Sequence, residues 1–227
     1  MTAKIHISKI FQVPAWFYGL FLVLGNIFPI PTNAFSGRIP GNGNTGSYLV
    51  RIARESYLII NGYTNFNNFS CIYEGDFYRD TLTVKAVSDG DHVTLSDARL
   101  LLKTDLFDCH NPGMNEDFRD LLNSGKYPFI RIQVVDINKN QQEINARLVS
   151  LNDKKYILLK VSIQIAGEEN TYDLPVEILK KNNGLFYSGR LNLNIRDFGL
   201  VPPVKMFGLV RVKEFVSIDF MVKINLI

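Results

Sequence analysis

Apolar residues take every second position over long stretches of this chain. Ile157, Leu159, Val161, Ile163 and Ile165 alternate with Tyr156, Leu158, Lys160, Ser162 and Gln164. Val216, Ile218, Phe220, Val222 and Ile224 alternate in the same way with Ser217, Asp219, Met221, Lys223 and Asn225, and Ile130, Ile132 and Val134 with Arg131 and Gln133. Successive side chains of a strand point to opposite faces, so each run predicts one apolar and one wetted face. Further strands are predicted over 48–61, 66–75, 80–87, 93–103, 143–151, 170–179 and 185–193. Asn152-Asp153-Lys154, Gly167-Glu168-Glu169-Asn170 and Asn182-Asn183-Gly184 separate such runs as hairpin turns do. A meander with one apolar face must bury it, and closing the sheet on itself does so while removing exposed edges. The predicted fold class is all-β, an antiparallel up-and-down β-barrel of about eight strands, whose interior either fills with side chains or holds one small ligand.

The period changes once, between Asp105 and Ile132. Asn111-Pro112-Gly113 reads as a turn. Asn115 suits a helix N-cap, with Glu116 and Asp117 in the first turn, where the amide dipoles favour negative charge. Phe118, Leu121 and Leu122 share a helical face, Gly125 ends the helix, and Tyr127-Pro128 forces an extended exit into the next strand. One short helix is therefore expected between strands.

Composition matters most at the N-terminus. Lys4 and Lys9 precede an unbroken apolar run from Ala15 to Gly25, and Thr32-Asn33-Ala34 offers small residues for cleavage. Residues 1–34 are thus expected to be a signal peptide, with a retained N-terminal membrane anchor as the alternative. The run falls short of the roughly 20 apolar residues that a membrane span needs. Without this segment the formal net charge falls from +3 to +1, so the basic balance is no sign of a nucleic-acid partner. Residues 35–47 are rich in Gly, Asn and Ser and read as a flexible lead-in to a domain over 48–227. They contain Gly41-x-Gly43-x-x-Gly46, but no strand precedes this spacing and no helix follows it, as a dinucleotide site would require. Cys71 and Cys109 are the only cysteines, and export favours a disulfide between them over two buried free thiols. Two cysteines without companion histidines are a poor metal site, and none is expected.

Three stretches carry a family resemblance. Ile60-Asn61-Gly62 leads through Asn65-Phe66-Asn67-Asn68-Phe69-Ser70 to Cys71. Cys109-His110-Asn111-Pro112-Gly113-Met114-Asn115-Glu116-Asp117 precedes Leu121-Leu122 and Tyr127-Pro128. Asp197-Phe198-Gly199-Leu200-Val201-Pro202-Pro203 precedes Gly208-Leu209-Val210 and the last strand. In order and spacing these resemble the YceI-like family, bacterial proteins with a lipocalin-like barrel that binds polyisoprenoid lipids. The resemblance implies a lipocalin-like barrel, a hollow interior, and a bound polyisoprenoid or isoprenoid quinone without any other cofactor. Candidate ligand-binding residues of that interior are Phe69, Ile130, Ile132, Ile157, Leu159, Val161, Ile163, Leu191, Ile218, Phe220 and Val222.

Enzyme chemistry finds little support. Asp91-His92 and Asp108-Cys109-His110 can be drawn as nucleophile–base pairs, but no orienting third group or oxyanion motif accompanies them. Asp197-Phe198-Gly199 spells a kinase tripeptide without the rest of that set. No catalytic residue is assigned. Asn68-Phe69-Ser70 is a glycosylation sequon in spelling only. The expectation is a periplasmic or secreted binding protein that holds an apolar lipid, does not span the membrane once its signal is removed, binds no nucleic acid, and leaves a homodimer open. The alternative is a ligand-free barrel that binds a partner through its loops, and a weaker third is a hydrolase using Cys109 and His110.

Overall fold

The computed structural model describes residues 45–77, 81–142, 144, 155–181 and 184–227. The expected signal peptide, most of the lead-in, the strand over 143–151 apart from Ile144, and turn residues 152–154 and 182–183 lie outside these. The strands are β1 (Thr45–Ile52), β2 (Tyr57–Tyr63), β3 (Asn68–Tyr73), β4 (Thr81–Asp89), β5 (His92–Ser96), β6 (Arg99–Lys103), β7 (Phe107–Asp108), β8 (Phe129–Asn138), β9 (Lys155–Ile165), β10 (Glu168–Lys181), β11 (Gly184–Asn194), β12 (Val204–Lys205), β13 (Val210–Arg211) and β14 (Phe215–Leu226). One ten-residue helix, α1 (Pro112–Leu121), lies between β7 and β8.

The strands form a ring in the order β1-β4-β5-β8-β9-β10-β11-β14, closed by pairing of β1 with β14. Every pairing in it is antiparallel. The fold is an all-β barrel, as the alternation predicted. Its wall departs from a plain meander in two places. The run expected over 48–61 is two strands, because Ala53–Ser56 break it: Ala53 N–H donates to the Lys223 carbonyl and Lys223 N–H to Ser56 Oγ. β14 consequently pairs with β2 along Ser217–Met221 and with β1 along Ile224–Leu226. The run expected over 93–103 is likewise divided at Asp97, whose φ is 66°, so β8 pairs with β6 along Phe129–Gln133 and with β5 along Asp136–Asn138.

At one end, therefore, the wall splays between β3 and β6. An aromatic stack closes the gap, with Tyr73 between Phe77 (5.4 Å) and Phe107 (5.0 Å), and Phe107 against Phe118 of α1 (5.1 Å). The Cys71–Cys109 disulfide ties β3 to the chain entering α1. α1 contributes Met114, Phe118 and Leu121 to this packing, with Leu122 beyond it buried. The helix starts earlier than expected. Asn111 is its N-cap, accepting from Met114 N–H, because Pro112 already has the φ of a first helical residue and needs no N–H partner there. Asn115 instead turns back, accepting from Cys109 N–H (2.6 Å) and donating to Asp108 (3.0 Å). The helix also ends before Gly125, with Asn123 taking the left-handed conformation (φ 49°).

β9 and β10 join through Ala166 and Gly167, both at positive φ (50° and 93°), as a two-residue hairpin turn of right-handed twist demands. A Cβ on Gly167 would stand 2.8 Å from the Tyr127 ring. Gly167→Ala should therefore destabilise by more than about 1 kcal/mol, read as a lower urea midpoint at unchanged slope.

Candidate functional site: the barrel interior

Cross-strand register sorts the residues by face. Ile218 and Leu191 are opposite each other in the core, so Phe220, Val222 and Ile224 of β14 point inward with them. Ile52 opposite Ile224 and Val50 opposite Leu226 carry that face into β1, then Leu82, Val84 and Ala86 into β4, and Leu95 and Val93 into β5. Val93 faces Ile137, Ile137 faces Leu159, and Leu159 faces Leu174, which completes the circuit. The opposite face carries Lys85, Lys160, Ser162, Asp173, Arg190 and Asp219, and is joined across strands by Ser70–Asn61 (2.7 Å), Asn61–Asp219 (2.8 Å) and Arg190–Asp219 (2.5 Å).

The two halves of this interior differ. Toward the splayed end it is solid. Tyr73, Leu102, Phe107, Ile130, Val161, Ile163, Ile165, Leu193, Ile195, Phe198 and Leu200 are all buried. On the side facing α1, β10 and β11 part beyond the Val176–Gly189 pair, and a 3-10 turn, Ile195–Phe198, enters the gap. Asn170 holds this turn through the Asp197 carbonyl (2.8 Å), and Phe198 ends 1% exposed, with Tyr172 6.4 Å away. Toward the other end the inward-facing Val50, Ile52, Leu82, Leu95, Ile137, Ile157, Leu159, Ile178, Tyr187 and Val222 are only partly buried. These apolar side chains face inward and keep some solvent exposure, whereas Val84, Ala86 and Val93 of the same half are buried.

The sequence-derived candidates fall on both sides of this division. Ile130, Val161, Ile163, Leu191 and Ile218 are buried in the core cluster. Phe69, Ile132, Ile157, Leu159 and Phe220 pack against it while partly exposed, and Val222 lies beyond it toward the open half. Two of the rings lie flat on the wall: a Cβ on Gly62 would meet Phe69 Cζ at 2.1 Å, and one on Gly189 would meet Phe220 Cζ at 2.7 Å. Glycines opposite the aromatics let the rings fold down instead of crossing the lumen. The open-half residues of β1, β4 and β5 were not among the candidates, although Leu82, Val84 and Ala86 alternate plainly. Ile137 was hidden by a bulge at Val135, which shifts the phase of β8 by one residue. Leu158, on the face expected to be wet, is buried opposite Asn138, and Gln141, just past that strand, donates to the Tyr156 carbonyl (2.9 Å).

Tyr172 faces Val161, one layer below Leu159 and Leu174. Its hydroxyl is the one buried side-chain polar atom without a hydrogen-bond partner among the described residues. Burial, then the nearby Asp197 carboxylate, pushes this hydroxyl's pKa up, and burial does the same to Tyr187. The other chemistry considered from the sequence is dispersed. Cys109 is oxidised and has no thiolate to offer. His110 is exposed beside Asp108, whose carboxyl is held below its usual range by the Asn115 amide and the His110 backbone N–H. His92 pairs with Asp136 across β5 and β8 (2.8 Å), on the outside of the barrel. Among the described residues no three His, Cys, Asp or Glu side chains gather as a metal site, and no helix is long and apolar enough to cross a membrane.

No protein-family model matches the sequence, and no curated protein matches it either. Solved structures do. Burkholderia cenocepacia BcnA is similar with a TM-score of 0.53 at 12% identity, over 75% of this chain and 96% of that one. A polyisoprenoid binding domain from Saccharophagus degradans, implicated in plant cell wall breakdown, is similar with a TM-score of 0.51 at 10% identity, over 79% of this chain and 99% of that one. The fold is YceI-like. At these identities the likeness is one of backbone. Within this YceI-like barrel the helix, the disulfide and the 195–198 turn all lie at the closed half, leaving the inward face of β1, β4, β5 and the end of β14 as the candidate site.

Proposed function

We propose that this protein holds an apolar lipid, a polyisoprenoid or an isoprenoid quinone, in the open half of its barrel and does not transform it chemically. One observation carries this reading: the inward-facing Val50, Ile52, Leu82, Leu95, Leu159 and Val222 remain partly exposed, while Leu102, Ile130, Val161, Ile163, Leu193 and Phe198 toward the other end are buried in one cluster. An isoprenoid chain suits such a wall, since each buried CH₂ contributes about 0.8 kcal/mol and the wall need supply no polar partner. The polyisoprenoid-binding structural neighbour supports the same ligand class. The apolar N-terminal run and the paired cysteines support export to the periplasm or the outside, where disulfides persist.

Mass spectrometry of the protein purified without detergent should reveal a co-purified isoprenoid. Val222→Trp places a larger ring among the partly exposed wall residues. It should lower isoprenoid-quinone affinity at least tenfold while changing stability by less than about 1.5 kcal/mol, as a volume increase into unfilled space does. Finding no apolar ligand and no binding to added quinone would overturn the proposal in favour of a ligand-free interaction barrel.

A further inference from the structure

Between Leu200 and Phe215 the chain leaves the barrel wall at the closed end and returns. β12 and β13 pair as a small hairpin through Val204–Arg211 and Lys205–Val210. Its tip is Met206-Phe207-Gly208. Met206 (φ 53°) and Phe207 (φ 54°) both take the left-handed conformation, which costs an L-residue with a bulky side chain and gains it no packing here. Phe207 is fully exposed, and Met206 and Leu209 are about two-thirds exposed. The hairpin is nonetheless held firmly. Asn65 donates to the Leu209 carbonyl (2.9 Å) and accepts from Arg211 N–H (2.9 Å), Lys213 N–H donates to the Tyr63 carbonyl (2.7 Å), and Lys205 pairs with Asp117 of α1 (2.5 Å). The apolar side chains are thus displayed by a fixed scaffold, and Phe66 of the adjoining turn is exposed beside them.

Charge says what they face. Val204 to Lys213 contains Lys205, Arg211 and Lys213 and no acid. Arg211 and Lys213 have no carboxylate partner among the described residues, and both line a groove of about 380 Å³ behind the hairpin with Arg196, Pro202, Phe215 and Glu214, the last paired with Arg196 (2.6 Å) and so leaving the other two cations unmatched. A projecting apolar tip with uncompensated cations one residue layer behind it matches a bilayer whose apolar region lies beneath an anionic surface. We infer that the 204–213 hairpin docks the closed end of the barrel on an anionic lipid membrane, with Met206 and Phe207 entering the interface and Arg211 and Lys213 meeting lipid phosphates. Nothing in this depends on what the barrel holds.

The only native tryptophan is Trp16, so the full chain carrying Phe207→Trp reports position 207 by difference from the unsubstituted chain. With vesicles of phosphatidylcholine and phosphatidylglycerol carrying brominated acyl chains, that difference emission should shift to the blue and be quenched. In the same chain, Arg211→Gln with Lys213→Gln should weaken the response at least tenfold in lipid concentration, as should pure phosphatidylcholine. Both substituted positions are solvent-facing, so the urea midpoint should stay within error of the parent chain. Emission at position 207 that is unquenched by anionic vesicles overturns the inference, as does quenching indifferent to both charges and lipid composition. A blue shift that appears on raising protein concentration without vesicles assigns the tip to a second copy of the chain instead, and also overturns it.

Discussion

Phe198→Ala should cost about 3–5 kcal/mol of stability, the usual range for emptying a buried aromatic site. Phe198 is 1% exposed at the end of the Ile195–Phe198 turn, wedged where β10 and β11 separate. The gap cannot collapse around a smaller residue, because its rims are fixed independently. Asn170 and Glu214 hold the turn through the Asp197 carbonyl and the Ile195 N–H, and β11 is committed to β14 along Arg190–Asn194. Gly199 at φ 68° then reverses the chain and sends Leu200 back into the core. Phe198→Leu should recover more than half of the loss, since it refills most of the volume. Urea titrations of the three chains measure both effects, and a change below about 1 kcal/mol for the alanine chain would show that the turn is not the plug described here.

Removing the disulfide should be nearly as costly. Cys71 and Cys109 lie 38 residues apart, and closing a loop of that length stabilises by about 4 kcal/mol in the chain-entropy account. Alanine is the better replacement, because a serine hydroxyl at the completely buried Cys71 would lack a partner. The bridge sits where β3 and β6 share no ladder, so the loss should appear first as local opening. Amides of Leu122 and α1 should exchange faster than those of β9 and β10 in the Cys71→Ala, Cys109→Ala chain. In the unmodified protein both sulfurs should resist alkylation until a reductant is added. An unchanged urea midpoint in the doubly substituted chain would refute the structural role.

Much of the interior was legible because alternation is a local signal that survives into the fold. All eleven candidate residues lie on strands whose inward face they occupy or share, from Phe69 to Val222; the short helix was legible from Phe118, Leu121 and Leu122 and its tie to β3 from the two cysteines, while Asn111-Pro112-Gly113, expected as a turn, is the cap and first residues of the helix. The errors are equally physical. Asn115 looked like a cap because Asn commonly is one, but Asn111 precedes a proline and wins that position. The runs over 48–61 and 93–103 looked continuous because the kinks at Ala53–Ser56 and Asp97 are set by which neighbour each half pairs with.

By itself the sequence determined that alternate residues of each unbroken run share a face and that the sheet must close, because a period of two and the need to bury one face are consequences of backbone geometry. Only the tertiary structure decided which half of the barrel is filled. That depends on how far along the barrel axis each residue lies, and the axial position comes from long-range register: a split β14, a split partner for β8, and a turn and a helix that return to one end from distant parts of the chain. The same register separated Ile163, sealed in the core, from Val222, left partly exposed, although the alternation that marks them is identical.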